Sequence, residues 1–469
     1  MTTPADLTAT ELVAAYRDGE LSPVEATRDV LERIERLDPE VNAFCLVDAE
    51  RALASASESE QRWQAGEPTG IVDGVPTSIK DIFLTAGWPT LRGSKTISQD
   101  QEWQTDGPPV ARLREQGAVL VGKTTTPELA WKGVTDSPLT GVTGNAWDPR
   151  RTPGGSSGGS ATAVALGMGP LSIGTDGGGS VRIPASFTGT VALKPTYGRI
   201  PHWPSSPYGT LAHAGPMART VADTALLLDV MSGFDSRDWS ALAPPSGAFS
   251  GAALQSGVLG LRIAVSPTLG YVDVDPDVLA ALEAAAEVFA DLGAEVELAD
   301  PGFTDPVDDF DVLWYSGAAK TVDHLDAQPR SLLDPGLAKI VAQGERYSAL
   351  DYLTATATRM AIGTTMGHFH ERYDLLLTPT MPITAFEAGV EVPPGWHSPD
   401  WTSWAQFGYP FNMTQQPAAS VPCGMTISGL PIGLQVVGPR HSDSRVLAAC
   451  AAYEHARPWA DRRPPLLSR

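Results

Sequence analysis

The segment TPGGSSGGSATAVALGMGPLSIGTDGGGSVRIPA, Thr152 to Ala185, decides how the rest of the chain is read. Two loops of glycine and serine, Gly154 to Ser160 and Gly177 to Ser180, flank a short apolar stretch. Glycine at this density costs backbone entropy, so its use is to bring amides close to something or to hold special dihedrals. Small and apolar residues from Gly159 to Leu166 suit a closely packed helix, and Leu171 to Thr175 suits a buried strand. Gly177 to Ser180 then forms a turn, and Val181 to Phe187 starts a helix despite Pro184. A strand, three glycines and a helix start make a nest of N–H groups aimed at one spot. Such a nest followed directly by a serine is the arrangement of an oxyanion hole with its nucleophile.

Two pattern matches in and around this stretch mislead. Gly154-Gly155-Ser156-Ser157-Gly158 fits the G-x-S-x-G nucleophile elbow. An elbow needs an apolar strand running into it, whereas Trp147 to Pro153 reads WDPRRTP. It also needs a histidine partner, and His213, His324, His368, His370, His441 and His455 offer no clear candidate. Upstream, Gly117 to Thr124 reads GAVLVGKT and satisfies G-x-x-x-x-G-K-[ST] letter for letter. Its four intervening residues are strand material, and Pro127 prevents a helix from starting at Thr124, so the octet is read as a buried strand. His368 and His370 invite a metal reading. Two apart on a helix they do not face each other, so they are expected to be solvated helix residues.

Composition narrows the classes further. The chain has 469 residues, 42% of them hydrophobic, and a formal net charge of −22. That is ample for a buried core, and it argues against a nucleic-acid or anionic-membrane binder, whose affinity comes from Lys and Arg. Cys45, Cys423 and Cys450 are sparse and lack metal or redox spacing, which fits a reducing compartment. The N-terminus shows no signal-peptide pattern, and no apolar run reaches the roughly 18–20 residues of a spanning helix. A cytoplasmic location is expected.

Along the chain, residues 8–18 and 23–37 read as amphipathic helices. Ser22-Pro23-Val24-Glu25 opens the second with a capping serine, a proline at the first helical position and a glutamate three residues after the cap. Val41 to Val47 reads as a strand and Ala49 to Ala65 as a helix. Ile71 to Asp81 is a turn plus a strand that carries Lys80 between Ile79 and Asp81. A lone lysine is ordinarily a surface group, but these apolar neighbours allow burial, which lowers a lysine's pKa. Val110 to Glu115 is helical. Gly260 to Val265 and Glu295 to Leu298 are strands around a helix from Pro276 to Leu292. Residues 387–411 concentrate aromatics, among them Trp396, Trp401, Trp404, Phe407, Tyr409 and Phe411, without periodicity. They read as a packed irregular loop, or alternatively as an aromatic wall over a cleft.

The block GGSSGGS…GTDGGGSVRIPA, with GVPTSIKD upstream, resembles the amidase signature family of serine hydrolases. Further matches at LKPTYGR (Leu193 to Arg199), GPMAR (Gly215 to Arg219), DLLLTPT (Asp374 to Thr380) and PIGLQVVG (Pro431 to Gly438) extend the resemblance over essentially the whole chain. It implies an α/β fold: a large twisted mixed sheet covered by helices on both faces. One domain would span 1–469, with an N-terminal helical arm over 1–66, a signature core over 67–230 and the remainder of the sheet and cleft loops over 231–469. It implies that Ser180 is the nucleophile, Ser156 a bridging serine on a cis peptide, and Lys80 the base. Gly177, Gly178, Gly179 and Ser180 would hold the oxyanion, with Ser157, Asp176 and Arg182 in support. Ala130, Trp131, Lys132 and Gly133 match the segment lining the acyl pocket, so they are expected to bind substrate. Gly177 departs from the larger residue common there in the family.

The implied activity is hydrolysis of small to medium, aryl or hydrophobic amides through an acyl-enzyme. Carbamate or ester hydrolysis is the alternative, and the glutaminase-type component of a tRNA-dependent amidotransferase is a further one. No cofactor, metal, nucleic acid or membrane is implied, and the protein would be a monomer or a homodimer.

Overall fold

Strands drawn from the whole length of the chain pair into one mixed sheet of eleven in the computed structural model, which describes residues 3–460 and 462–468. The first strands are β1 (Phe44–Val47), β2 (Pro76–Lys80) and β3 (Val119–Thr124); β4 (Asp136–Ser137) and β5 (Gly141–Val142) form a separate small ribbon. The remainder are β6 (Leu171–Asp176), β7 (Val191–Lys194), β8 (His213–Ala218), β9 (Arg262–Val265), β10 (Glu295–Leu298), β11 (Leu375–Pro379), β12 (Ala418–Met425) and β13 (Pro431–Val437). Their order across the sheet is β1-β3-β2-β6-β8-β7-β12-β13-β11-β9-β10. β2 runs parallel to both β3 and β6, and β9 parallel to β10 and β11; the other pairs are antiparallel.

The GAVLVGKT octet lies in this sheet as β3, with its lysine buried. Lys123 Nζ meets Asp81 at 2.8 Å and Thr90 Oγ1 at 2.6 Å, so it is a structural cation and not a phosphate ligand.

The helices follow from capping and from stripes of apolar residues. Helix α1 (Ala9–Asp18) begins at Thr8 and α2 (Pro23–Val41) at Ser22, each with a reciprocal bond from a glutamate three residues on. The second runs four residues beyond the expected Leu37, because Val41 continues the buried stripe of Val30, Ile34 and Leu37. It ends at Asn42 in a left-handed conformation, so the following strand starts only at Phe44. Helix α3 (Ala49–Ala65) completes the N-terminal region, which also supplies the edge strand β1.

Strand periodicity decides which face each residue takes. Ile79 of β2 and Leu171 and Ile173 of β6 are fully buried and share a core with Leu227 and Val221 of α7 (Val221–Met231), after α4 (Pro108–Glu115), α5 (Gly158–Ala165) and α6 (Arg182–Thr188) in chain order. Each such buried aliphatic side chain contributes about 1.5–3 kcal/mol. The alternating residues Ser78 and Ser172 face the other way and bond to each other at 2.8 Å, beneath α5. No helix among the described residues is long and apolar enough to cross a membrane.

Candidate active site

Lys80 is the last residue of β2, and Thr175 and Asp176 end β6. The two strands are parallel with Ile79 opposite Ile173, so their carboxyl ends open on the same edge of the sheet. Ligands bind at such edges in open α/β sheets. Ser156 and Ser157 reach this edge from the loop ahead of α5, whose Gly155–Ser156 peptide is cis. That loop presses on its neighbours: a Cβ on Gly155 would lie 2.5 Å from the Val134 carbonyl.

Gly174 makes room for the same loop. A Cβ there would stand 2.7 Å from Ser157 Oγ and 2.9 Å from the Val181 side chain. Gly174→Ala is therefore expected to cost about 1–3 kcal/mol of stability and to lower kcat by displacing Ser157. Denaturant midpoints and turnover measured side by side check this.

The buried lysine is held by hydroxyls. Lys80 Nζ lies 2.6 Å from Ser156 Oγ, 2.8 Å from Thr175 Oγ1 and 3.0 Å from Ser157 Oγ, with no solvent exposure. Burial drives its pKa well below the ordinary lysine value, and the attraction of Asp176 only partly opposes this. Ser157 donates its own proton to the Thr175 carbonyl at 3.1 Å, so it accepts from Lys80. When Lys80 is deprotonated, its two remaining hydrogens can go to Ser157 Oγ and Thr175 Oγ1, which leaves its lone pair to Ser156.

Ser180 stands at the same cavity as Ser156 and Thr175. Its carbonyl accepts from Ser157 N at 3.1 Å, which ties the two glycine-rich loops together. Its hydroxyl has no hydrogen-bond partner among the described residues.

The donor set around the turn is smaller than expected. The Gly179 amide donates to Asp176 Oδ1 at 2.9 Å, which corrects its expected place among the oxyanion donors. The amides of Gly177, Gly178 and Ser180 have no acceptor among the described residues. Asp176 also takes the Val181 amide at 3.2 Å, Arg182 through Nε at 3.0 Å and Nη2 at 2.9 Å, and Asn412 Nδ2 at 2.8 Å. Burial pushes its carboxyl up, but the Arg182 guanidinium outweighs that and holds it well below the usual carboxylate range.

Ala130 lines the cavity. Trp131 and Gly133 do not: Trp131 packs against Gly336 behind it, and Gly133 sits against the rings of Trp401 and Trp404. Lys132 is bound at 2.7 Å by Asp136 and at 3.3 Å by Asp334. Of the aromatic segment, Trp401, Trp404, Phe407, Tyr409 and Phe411 are buried in a core rather than set on the cavity wall, so the packed-loop reading holds.

The wall's aromatics come from elsewhere. Trp314, on helix α9 (Val307–Thr321; α8 is Pro276–Asp291), stacks on Tyr208 at 4.0 Å, and both line the cavity with Phe83.

Most of the cavity wall lies outside the sequence expectations, Thr175, Trp314, Arg92 and His202 among it. Thr175 sits inside the GTD motif and was findable there; nothing local marks Trp314 or Arg92. His202 is a histidine outside the set considered. Burial pulls its pKa down to about 4, so it is neutral at ordinary pH. His370 is likewise not solvated as expected, since its ring bonds the Tyr373 carbonyl at 3.0 Å and Gln416 at 2.8 Å, while His368 is exposed.

A desolvated buried lysine of lowered pKa, a hydroxyl touching it, a second free hydroxyl at the same cavity and open amides beside that hydroxyl are the parts that acyl transfer needs. Comparison with known proteins points to the same chemistry. Residues 25–447 match the family described as Amidase. The chain is 38% identical over 470 residues to an acylamidase of Rhodococcus erythropolis, covering 98% of this chain and 97% of that protein. It is 37% identical to a glutamyl-tRNA(Gln) amidotransferase component of Myxococcus xanthus, covering 98% and 99%. Among solved structures, a bacterial aryl acylamidase of the amidase signature enzymes superposes with a TM-score of 0.91 at 31% identity, over 97% of each chain.

Proposed function

The chain belongs to the amidase signature family, whose members named above support hydrolysis of amide C–N bonds, and on that premise we propose that it hydrolyses small to medium aryl or hydrophobic amides through an acyl-enzyme on Ser180. The observation that carries the reading is the 2.6 Å contact between a desolvated Lys80 and Ser156, at the cavity that also holds Ser180.

In the proposed mechanism neutral Lys80 takes the proton of Ser156 Oγ as Ser156 takes that of Ser180. Ser180 Oγ bonds to the amide carbonyl carbon. The negative oxygen is held by the free amides at Gly177, Gly178 and Ser180; losing one such donor costs about 10²–10³ in rate. The proton returns through Ser156 to the leaving nitrogen as the C–N bond breaks. Water then repeats the sequence on the acyl ester and releases the acid. The stacked pair of Trp314 and Tyr208, with Phe83, favours an aromatic or apolar substrate body.

A panel of anilide, aliphatic amide, glutamine, ester and aryl carbamate tests the reading; turnover of glutamine alone would replace it with the amidotransferase reading that the Myxococcus relative supports. pH supplies a second test. Lys80 must be neutral to act, and its pKa is lowered, so kcat/KM is expected to fall on acidification with a midpoint well below the ordinary 10.5. Lys80→Arg, which cannot lose its proton, is expected to abolish turnover across the whole profile. A midpoint near 10.5, or an active arginine variant, would overturn the assignment of the base.

A further inference from the structure

One wall of the cavity carries a cation that the mechanism above leaves unused. Arg92 lines the same cavity as Ser156 and Ser180. Its guanidinium forms no hydrogen bond or ion pair with any described residue, and Nε is buried without a partner. Burial lowers its pKa, an effect that the nearby Asp81 only partly offsets. That carboxylate is already bound by Lys123 Nζ at 2.8 Å. Two cations thus share one anion. Arg92 is only partly buried and its Nε has no partner, so a guanidinium with no protein counter-charge faces this cavity and is suited to a ligand that supplies one.

The backbone around Arg92 supports the same assignment. Arg92 has φ +54°, and Leu129 and Ala130, which also line the cavity, have φ +53° and +60°. Left-handed non-glycine residues are unfavourable and gather at ligand clamps. Leu129 N donates to the Arg92 carbonyl at 2.8 Å, so the two strained segments brace each other at this wall.

Resting on the amide-hydrolase reading, we infer that Arg92 is a specificity-determining residue that binds a carboxylate carried by the amide substrate. The guanidinium fork matches a carboxylate in two charge-assisted hydrogen bonds. The apolar body of the substrate lies along Phe83, Leu129, Tyr208 and Trp314. The substrate class is an aryl or apolar amide with an anionic end, not a wholly neutral one.

Matched pairs test this: glutaryl- against butyryl-4-nitroanilide for a carboxylate on the acyl side, and 4-acetamidobenzoate against acetanilide for one on the amine side. In the parent protein the charged member of one pair is expected to show at least about tenfold higher kcat/KM. Arg92→Met is expected to lower that charged-to-neutral ratio about 100-fold, mainly through KM, and Arg92→Lys to restore part of it. Arg92→Gln replaces the methionine variant if that one does not fold. Hydrolysis with a ratio that the substitutions leave unchanged overturns the role of Arg92 while the hydrolase reading stands. If the parent cleaves none of the four, the hydrolase reading fails. The assignment of Arg92 is then decided by calorimetry of glutarate and benzoate, where equal affinity for parent and Arg92→Met overturns it and a loss of at least tenfold upholds it.

Discussion

Ser180→Ala is expected to lower turnover by about 10⁴-fold or more while leaving the fold and its stability within about 0.5 kcal/mol of the parent. The two halves of this expectation have separate physical grounds. Activity depends on the hydroxyl, because Ser180 Oγ supplies the only covalent bond to the acyl group in the mechanism proposed above. Stability does not, because that hydroxyl has no partner among the described residues. The bonds that fix the turn are made by backbone: Ser157 N to the Ser180 carbonyl, and the Gly179 and Val181 amides to Asp176. Ser156→Ala makes an instructive contrast. It removes a comparable share of activity but also deprives the buried Lys80 of its 2.6 Å partner, so it should lower the unfolding midpoint as well. Single-turnover release of 4-nitroaniline, with denaturant curves for both variants, separates the cases. More than a tenth of parental turnover in pure Ser180→Ala would remove Ser180 from the nucleophile's place.

The parts of the site legible in the sequence are those in which a local motif dictates a local shape. GTDGGGS is a strand end, a turn and a helix start within one stretch, and the structure has these elements in that order. Lys80 is harder, being 76 residues from Ser156. Its strand character was readable, but its burial depends on β2 lying between β3 and β6, which no window around it contains. The decoy octet was resolved by the same logic, since four consecutive strand-forming residues do not make a phosphate loop.

The failures have one cause in common. Which way a side chain points, and what a backbone amide meets, depends on elements far away in sequence. Trp131 was expected on the substrate wall, but Ala130 in a left-handed conformation turns the chain and sends the indole toward Gly336. The Gly179 amide looked free until the Asp176 side chain folded back onto it. The aromatics between Trp401 and Phe411 read correctly as a packed loop, but the cleft-wall alternative closes only where Phe310 and Trp314 on α9 take them into the core. Trp314 itself, which does face the cavity, sits in a helix that carries no motif at all.

Asp176→Asn is expected to destabilise the protein by about 3–5 kcal/mol, the usual cost of removing one charge from a buried ion pair. Asparagine keeps the shape of the side chain but turns one acceptor oxygen into an NH2 donor, so the charge and the hydrogen bonds that this oxygen accepts are lost together. Arg182 is fully buried, with its remaining hydrogen bonds going to Gln435 Oε1 and Asn412 Oδ1, both at 2.7 Å and both neutral. No other carboxylate lies within ion-pair distance of it among the described residues, so its charge would be left uncompensated. The linked pH dependence has a definite sign. The Asp176 pKa is depressed in the folded state, so the stability it contributes is present above the unfolded value of about 3.9 and is lost as pH falls toward the folded one. The parent should therefore lose stability on acidification below about pH 4 more steeply than Asp176→Asn, whose curve lacks that contribution. Turnover should fall too, since Asp176 holds the Gly179 and Val181 amides on either side of Ser180 and the open donors depend on the turn keeping that shape. Replacing the whole pair, as in Asp176→Asn with Arg182→Met, removes the orphaned charge and is expected to recover part of the stability without recovering activity. A double variant that regained both would mean that the pair serves only the fold and that the turn beside Ser180 keeps its shape without it.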